Sequence, residues 1–359
     1  MMSKIAVFWI SLCVAVFMGT AQPSNAGDDV AVITAENIRN LNSVMQIDFA
    51  DSDFEFNTGW FAMTFDGQYY AVRDVENTIH VWDVEGDIVD AFALSDAQSL
   101  VVAMAFDTDG ELLVAMDSDG LVVFRQIEQA ESTAYQLFDM NTFVQQLWLA
   151  DDALWVEAVD INGVAFVMRY EITVDENGVE LVGEGEQLEY APAGDADAVV
   201  RIGRIAPPFV VTSSQDGVVK RWDMQTVAVT AEVQAGDEPA VFGQITADGS
   251  HLTWRDQFSE ALYLLDFETG ENRLVAPLDG EYVQYFLLPL EADVIIAAHI
   301  EDRPEIIAWD VASGERFELG EHRTCNRVPD LIALSMDGTT MVVGCDTGLD
   351  IWRVVEPGD

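Results

Sequence analysis

Hydrophobic residues along this chain occur mainly in short runs rich in β-branched and aromatic residues, and compact polar turns separate these runs. Residues 111–116 are typical, because Asp109-Gly110 precedes them and another acidic turn, at 117–120, follows. Asp-Gly between two short apolar runs indicates a β-hairpin, since glycine accepts the positive φ angle of a tight turn. The same turn recurs at Asp66-Gly67, Asp248-Gly249 and Asp337-Gly338. The pattern predicts an all-β chain built from hairpins.

A strand that ends in Trp-Asp also recurs. It ends at Trp82-Asp83, Trp222-Asp223 and Trp309-Asp310, and a fourth copy at Trp352 lacks the Asp. Weaker copies fill the gaps, so that seven equivalent positions lie 42 to 52 residues apart, at 82, 124, 170, 222, 265, 309 and 352. A period of about 40–45 residues is typical of propeller blades. The repeat predicts seven structural units.

Each unit contains three strands joined by turns and a further strand that leads to the next unit, which predicts blades of four antiparallel strands. The longest spacing, between positions 170 and 222, includes an insertion at about residues 175–194. We interpret this insertion as an elongated hairpin and loop that project from the fourth unit. The expected architecture is one seven-bladed β-propeller over residues 27–359.

These units resemble the WD40 (YVTN-like) repeat family, in which an Asp-Gly turn, a strand, a second turn and a Trp-Asp strand follow one another. The Gly-His dipeptide of that family is missing from most units, and only Gly320-Glu321-His322 comes near it. This departure argues against the family's Asp-His-Ser/Thr-Trp hydrogen-bond tetrad as a stabilising device in this chain. We expect the tryptophans to act as apolar plugs between blades. The resemblance also implies an exposed cation two residues before the Trp, at His80 and Lys220.

The two ends of the chain are expected to close the ring. Trp352 lies near the end of the sequence, so the seventh unit lacks a fourth strand downstream. Residues 43–49 have a β pattern but belong to no unit. The resemblance implies that they supply the missing strand, which would remove an open sheet edge.

Acidic residues dominate the charge. The chain has 64 Asp and Glu against 16 Lys and Arg, a formal net charge of −48, while 50% of its residues are hydrophobic. That apolar content predicts a folded core. The negative surface disfavours nucleic acid and anionic lipid as partners, because both are bound through Lys and Arg. A saline habitat or a basic or calcium ligand would each account for the acidity.

The first 26 residues differ from the rest, with Lys4 as their only charge, an apolar run at 5–18 and the small residues Ser24-Asn25-Ala26. This is the pattern of a signal peptide cleaved after Ala26, and the run is shorter than the roughly 20 residues that span a bilayer. We expect an extracytoplasmic protein, a divergent bacterial-type exported member of the family, without a membrane span after cleavage. In an oxidising compartment Cys325 and Cys345 are expected to form a disulfide.

Candidate catalytic chemistry is sparse. The turns at 107–110 and 117–120 resemble calcium loops, but they occupy regular turn positions and lack the 12-residue ligand spacing. Asp216-Gly217 before Trp222 resembles a sialidase Asp-box with the wrong spacing. The four histidines lie in four different units. We therefore predict no catalytic residues, no metal and no cofactor.

Arginine and aromatic residues near the first strands of several units form a candidate interaction face, because these residue types concentrate binding energy at interfaces. They are Trp60, Phe61, Arg201, Arg204, Tyr282, Tyr285, Arg323 and Arg327. We predict a non-catalytic, monomeric propeller that binds a protein or an envelope component through this face. Two alternatives stay open, a propeller enzyme such as a lactonase or hydrolase with calcium in the central channel, and a structural repeat protein of the cell surface.

Overall fold

A computed structural model describes residues 30–355 except 50–55, 95–98, 140–141, 151–152, 162–164, 176–177, 189–198, 207–208, 215, 224, 227, 238–239, 247, 257–260, 279–282, 290, 300–304, 322–328, 330 and 346. Within the described ranges the chain forms one 3₁₀ turn, Ile38–Asn40, no α-helix and seven four-stranded sheets. None of the helical structure described there could cross a membrane.

Each sheet is one blade, and all strand pairs within it are antiparallel. The first strand is β1 (Leu41–Asp48). Blade 1 contains β2 (Phe56–Met63), β3 (Tyr69–Asp74), β4 (Thr78–Asp83) and β5 (Ile88–Ala93). Blade 2 contains β6 (Val101–Phe106), β7 (Leu112–Asp117), β8 (Leu121–Gln126) and β9 (Glu131–Gln136). Blade 3 contains β10 (Thr142–Ala150), β11 (Ala153–Asp160), β12 (Ala165–Asp175) and β13 (Gly178–Leu188).

The remaining blades repeat this order. Blade 4 contains β14 (Val199–Ala206), β15 (Phe209–Ser214), β16 (Val218–Asp223) and β17 (Ala228–Gln234). Blade 5 contains β18 (Ala240–Ile245), β19 (His251–Asp256), β20 (Ala261–Asp266) and β21 (Asn272–Pro277). Blade 6 contains β22 (Val283–Leu287), β23 (Val294–His299), β24 (Glu305–Asp310) and β25 (Arg316–Glu321). Blade 7 contains β26 (Leu331–Leu334), β27 (Thr340–Cys345), β28 (Gly348–Val354) and β1.

The predicted ring closure is confirmed. Strand β1 pairs antiparallel with β28 and places Ser43 opposite Trp352 and Ile47 opposite Leu349. Ile47 and Phe49 are buried in a cluster that also contains residues of blades 1 and 7. The fourth strand of the last blade therefore comes from the beginning of the described chain, and β28 has no open edge.

The first strand of a blade lies beside the first strand of the next blade, as β2 does with β6 and β6 with β10. These first strands surround the centre of the ring, and the fourth strands form the perimeter. The difference is visible in burial, since five of the six residues of the first strand β6 are buried whereas most of the fourth strand β5 is exposed or half-buried. The core consists of the layers of side chains between neighbouring blades.

Tryptophan fills several of these layers, as expected. Trp82 packs between blades 7 and 1, Trp309 between blades 5 and 6, and Trp352 between blades 6 and 7. The indole Nε1 of Trp352 is buried and has no hydrogen-bond partner among the described residues, as for an apolar plug. Trp222 differs, because it is half-buried and its Nε1 donates to Thr212 Oγ1 at 2.9 Å. Blade 4 thus retains the Trp–Thr part of the tetrad.

Two assignments from the sequence are wrong. The elongated hairpin belongs to blade 3, because β12 and β13 pair with each other and with the rest of that sheet. The position in blade 2 that corresponds to Trp82 is Arg125 and not Phe124. Tyr70 and Leu113 are equivalent, because each lies three residues after the glycine of its Asp-Gly turn. Tyr70 pairs with Trp82, and Leu113 pairs with Arg125.

Candidate binding site on the innermost strands

The eight residues predicted to form the interaction face are placed unequally. Trp60 and Phe61 lie on β2, Arg201 and Arg204 on β14, and Tyr285 on β22, which are all first strands of their blades. The side chains of Arg201, Arg204 and Tyr285 lie outside the described part of the structure. Tyr282, Arg323, Arg327 and Cys325 lie outside the described residues. The described members thus stand on the wall of the central channel instead of on the connections that lead to it.

Phe61 belongs to the core. It is 4% exposed and stacks on Tyr70 with 6.4 Å between the ring centroids. Since its ring is covered by blades 1 and 7, Phe61 cannot offer an aromatic surface to a partner, and we remove it from the interaction face.

Trp60 points to the other side of blade 1, where it is half-buried against the cluster shared by blades 1, 2 and 3. The guanidinium carbon of Arg73 lies 5.3 Å from the centroid of a Trp60 ring, which is a cation–π distance. Arg73 is 6% exposed, and its Nη1 donates to the carbonyl oxygen of Val101 in blade 2 at 2.8 Å. Arg73 therefore joins blade 1 to blade 2 beside Trp60.

A recess opens next to Trp60 on the first strands of blades 1 to 3. The residues around it are apolar except for two glutamines. They are Trp60, Phe61, Val102, Ala103, Met104, Gln145, Gln146 and Leu147. The strand pairing shifts register within β2, β6 and β10 at this level, between residues 57 and 61, 101 and 103, and 144 and 146. Such bulges interrupt the ladder and redirect side chains. We call Trp60, Val102, Met104 and Gln145, together with Arg73, which lies against Trp60 but does not line the recess, the Trp60–Arg73 site.

A second contact between the first two blades fixes one side of this site. Asn77 has a φ angle of 70°, and its Nδ2 donates to Ser99 O at 2.7 Å. Its Oδ1 accepts the amide of Val101 at 2.8 Å. Ser99 Oγ in turn donates to Asp117 Oδ2 at 2.7 Å. Because the same segment of blade 2 accepts Arg73, three hydrogen bonds join the two blades beside Trp60.

His80 is not an exposed cation. It is 3% exposed, and its Nε2 lies 2.9 Å from Oδ2 of the buried Asp74. Lys220, at the same repeat position, is partly exposed and pairs with Glu232 at 3.2 Å. Blade 1 therefore uses this position for a buried His–Asp contact, and only blade 4 follows the expectation.

The calcium-like turns bind backbone amides. Asp117 Oδ1 accepts the amides of Asp119 and Leu121, and Asp107 Oδ1 accepts that of Leu112. Burial raises the pKa of Asp107 to about 6, partly offset by its backbone hydrogen bonds. Across the described ranges no group of three or more His, Cys, Asp and Glu side chains is arranged to hold a metal ion.

The Asp-box-like segment is also a turn. Asp216 accepts a hydrogen bond from Ser214 Oγ, and this bond is the main reason why the pKa of Asp216 is lowered. Gly217 follows with a φ angle of 78°. The segment therefore has the conformation of the ordinary turn before a Trp-Asp strand.

Sequence reasoning missed Arg73, which is central to the site. A weak signal exists, because Arg73 precedes Asp74 at the end of an apolar second strand, as Arg255 precedes Asp256 in blade 5. Arginine in an otherwise buried run is uncommon unless it has a partner. That signal identifies an unusual residue but not its position beside Trp60.

Comparison with known proteins reveals the architecture only. No protein-family model and no curated protein sequence matches the chain. The β-propeller domain of Cps50 (Swd1) from Myceliophteria thermophila matches with a TM-score of 0.60 and 13% identity over 88% of this chain and all of that one. A chain of the mitotic checkpoint complex matches with a TM-score of 0.61 and 17% identity over 96% of this chain and 99% of that one.

In total, 1642 chains of solved structures match this chain. A likeness shared so widely identifies an architecture and no particular activity. Together with the seven four-stranded sheets and the pairing of β1 with β28, it shows that the chain has a WD40-like seven-bladed β-propeller fold.

Proposed function

We propose that this chain is an exported, non-catalytic propeller that binds a protein or an envelope component at its central channel. The observation that carries the proposal is the Trp60–Arg73 site, in which the partly exposed indole of Trp60 on the innermost strand β2 lies against the buried guanidinium of Arg73 on the second strand β3. Trp and Arg are the residue types most enriched at binding hot spots. The hydrogen bonds of Asn77 to Ser99 and Val101 support binding, because they hold blade 2 in place beside Trp60 and a preorganised site loses little entropy when it is occupied.

The architecture supports an interaction role. One similar chain comes from the mitotic checkpoint complex, so a propeller of this kind is found in an assembly. The net charge of −48 makes a neutral or basic surface the favoured partner. We propose that the chain itself is a monomer.

Affinity capture with the mature chain from an envelope preparation of the source cells tests this role. We expect the triple variant Trp60→Ala, Arg204→Ala, Arg323→Ala to lose the partners that the wild type captures. The matched control changes three side chains of the perimeter strands, Ile88→Ala, Leu274→Ala and Arg316→Ala, and should capture the same partners. Unchanged capture by the first variant would refute the proposed face.

If the chain is exported, two further properties are expected, and mass spectrometry tests both. Secreted material should begin at Gly27, and Cys325 should be bonded to Cys345, whose side chain is buried at the end of β27. Mass spectrometry of peptides prepared without reduction should detect the linked pair. Free thiols at both positions, or an intact residue 1, would contradict the export proposal.

A further inference from the structure

Large apolar side chains are exposed at one end of blades 1 to 3. They are Val75, Leu100, Phe143 and Ile161, which are between 53% and 67% exposed. The other large hydrophobic residues of the described ranges that are more than half exposed lie on third or fourth strands, toward the perimeter. Single exposed apolar residues are common, but a cluster of them framed by polar residues marks an interaction surface. We call these four residues the apolar rim.

The topology places the apolar rim on one face of the ring. In each blade the first strand begins and the second strand ends at the same end, because neighbouring strands are antiparallel. Val75 and Ile161 directly follow the second strands β3 and β11. Leu100 directly precedes the first strand β6, and Phe143 is the second residue of the first strand β10. The first strands lie side by side, so all four residues surround the same end of the channel.

Hydrogen bonds join the segments that carry the apolar rim. Asn77, in the turn of Val75, bonds to the residues on both sides of Leu100. The amide of Ser118, in the corresponding turn of blade 2, donates to the carbonyl oxygen of Leu100 at 2.8 Å. The segment that leads to β10 is held against the same turn, since the amide of residue 137 donates to the carbonyl oxygen of residue 120 at 2.9 Å. The rim residues therefore lie on adjoining segments.

An exposed valine in one of these turns is unusual. Asp74 and Asp117 are equivalent, because each accepts the amide of the residue four positions later. Val75 therefore occupies the turn position that Ser118 has in blade 2. Exposed turn positions favour small polar residues, which bond to the backbone. Since the side chain of Val75 is 58% exposed, packing in the core does not account for it.

Carboxylates surround the apolar rim. Glu76, Asp119 and Asp139 are exposed on the same segments. Between residues 56 and 161 the sequence contains two basic residues, Arg73 and Arg125. Arg73 is 6% exposed, and the side chain of Arg125 is 13% exposed and paired with an aspartate. Neither residue offers a cation to this face, which is therefore apolar and negatively charged.

We propose that the apolar rim binds a basic segment of another protein, one that contains both lysine or arginine and large apolar side chains. Its apolar side chains contact the rim, and its cations meet the surrounding carboxylates. A second copy of this acidic chain, nucleic acid and anionic lipid would each bring negative charge to this face, which disfavours them. The inference rests on the proposed function and specifies the partner. Val102 and Gln145 of the Trp60–Arg73 site follow Leu100 and Phe143 by two residues.

Three peptides of equal length test the chemistry of the partner. The probes are fluorescein-labelled Lys-Leu-Lys-Phe-Lys-Leu-Lys, the same peptide with serine in place of its apolar residues, and the same peptide with glutamate in place of lysine. Fluorescence anisotropy measures their binding to the mature chain at about 0.1 M salt. We expect the first peptide to bind at least about tenfold more tightly than the second, and the third not to bind. Added salt should weaken binding.

The double variant Leu100→Ser, Phe143→Ser should weaken binding of the first peptide by about tenfold or more, because its apolar contacts are lost. The matched control Ile88→Ser, Leu274→Ser removes two similarly exposed apolar side chains from the perimeter strands β5 and β21. It should bind the peptide as the wild type does. Thermal unfolding of both variants establishes that they are folded.

A second pair of variants tests the charge at the rim. Glu76→Gln with Asp119→Asn should weaken the first peptide by about threefold, as expected for exposed charges. Glu131→Gln with Glu180→Gln removes the same charge from exposed positions on the perimeter strands β9 and β13. This control should leave the affinity unchanged, which separates binding at the rim from general attraction to an acidic molecule.

Equal affinity for the first two peptides, or unchanged binding by Leu100→Ser, Phe143→Ser, would overturn the inference. Binding of neutral phosphatidylcholine vesicles, or a dimer that is lost in the same variant, would also overturn it, because the rim would then be a lipid or self-association surface.

These outcomes differ from failure of the proposed function. If the triple variant of the capture experiment loses its partners while the rim variant retains them and the peptides do not bind, the interaction role stands and only the rim assignment fails. If the triple variant retains its partners while the first peptide binds at the rim, the face proposed around Trp60 fails and the rim assignment stands.

Discussion

Asp107 is the residue at which one blade departs from the chemistry of the others. In blades 1, 5 and 7 the corresponding residue is Thr or Ser, whose hydroxyl group donates to the aspartate of the turn. Thr64 donates to Asp66 at 2.9 Å, and Ser335 donates to Asp337 at 2.6 Å. Blade 2 has a carboxyl group there, two residues before Asp109. An ionised carboxylate cannot donate, so this turn is suboptimal at neutral pH.

The pKa of Asp107 is raised from 3.8 to about 6 chiefly by burial. Because this pKa is higher in the folded than in the unfolded state, the stability that Asp107 contributes is fully present below pH 3.8 and is lost as the pH rises through about 6. The free energy of unfolding of Asp107→Ser, taken relative to wild type at the same pH, should be about 2 kcal/mol larger at pH 8 than at pH 4. Urea unfolding at both pH values measures this difference. Thr246→Ser should show no such pH dependence. If the stability of Asp107→Ser differed from that of wild type by the same amount at both pH values, the raised pKa of Asp107 would be contradicted.

Arg125 shows how one substitution changes the contact between two blades. It occupies the position of Trp82 and forms a bidentate ion pair with Asp90 on the fourth strand of blade 1, above the ring of Phe92. The side chains of the pair are 13% and 7% exposed. Where blades 6 and 7 use an apolar plug, blades 1 and 2 use a nearly buried charge pair.

Removal of one partner from a buried pair leaves an uncompensated charge. We expect Asp90→Asn to lower the free energy of unfolding by about 3 kcal/mol. Glu318→Gln, in the exposed pair of Arg316 and Glu318, should change it by less than about 1 kcal/mol. Chemical denaturation of the two variants in parallel provides the comparison. Similar small effects would show that the Arg125 pair is solvent-screened.

At the scale of elements, the turns between first and second strands fix how blades pack. Gly249 has a φ angle of 69°, and a Cβ atom there would lie 2.2 Å from the ring of Phe209 in blade 4. Arg221 binds the same junction, with Nη1 donating to Gly249 O at 2.7 Å. The turn of blade 5 thus needs glycine for its conformation and for the approach of blade 4.

Gly270 separates these two requirements, because its φ angle is 72° but nothing lies within 4 Å of a Cβ there. Gly270→Ala should lower the free energy of unfolding by about 1 kcal/mol through backbone strain alone. Gly249→Ala should lower it by at least about 1 kcal/mol more, through the clash with Phe209. Urea midpoints of the two variants measure this difference, and equal midpoints would refute the contact.

For the whole molecule, closure depends on β1. Ile47 is 6% exposed between blades 7 and 1, whereas Val44 on the same strand is 46% exposed. Truncation of a buried isoleucine creates a cavity. We expect Ile47→Ala to lower the free energy of unfolding by about 2–3 kcal/mol and Val44→Ala by less than about 1 kcal/mol. Thermal and urea unfolding test this, and equal effects would show that β1 adds little to closure.

The sequence alone determined the number of blades, their strand order and the closure of the ring. Asp-Gly turns, β-rich runs and Trp-ended strands are local signals, and their repetition outweighs the weakness of any single copy. The error at Phe124 arose because Arg125, in the place of a tryptophan, breaks the local signal. The hairpin was assigned to the wrong unit because spacing alone does not show which sheet an insertion extends.

Only the tertiary structure decided which side chains meet across blades. Phe61 and Trp60 are neighbours in sequence, but alternation along β2 sends one into the core and the other to the recess. Arg73 acquires its role from Trp60 on the adjacent strand and from Val101 in the next blade. Burial of His80 depends on Asp74. Such contacts are set by how blades pack, so a repeat pattern that specifies each blade leaves the binding chemistry between blades undetermined.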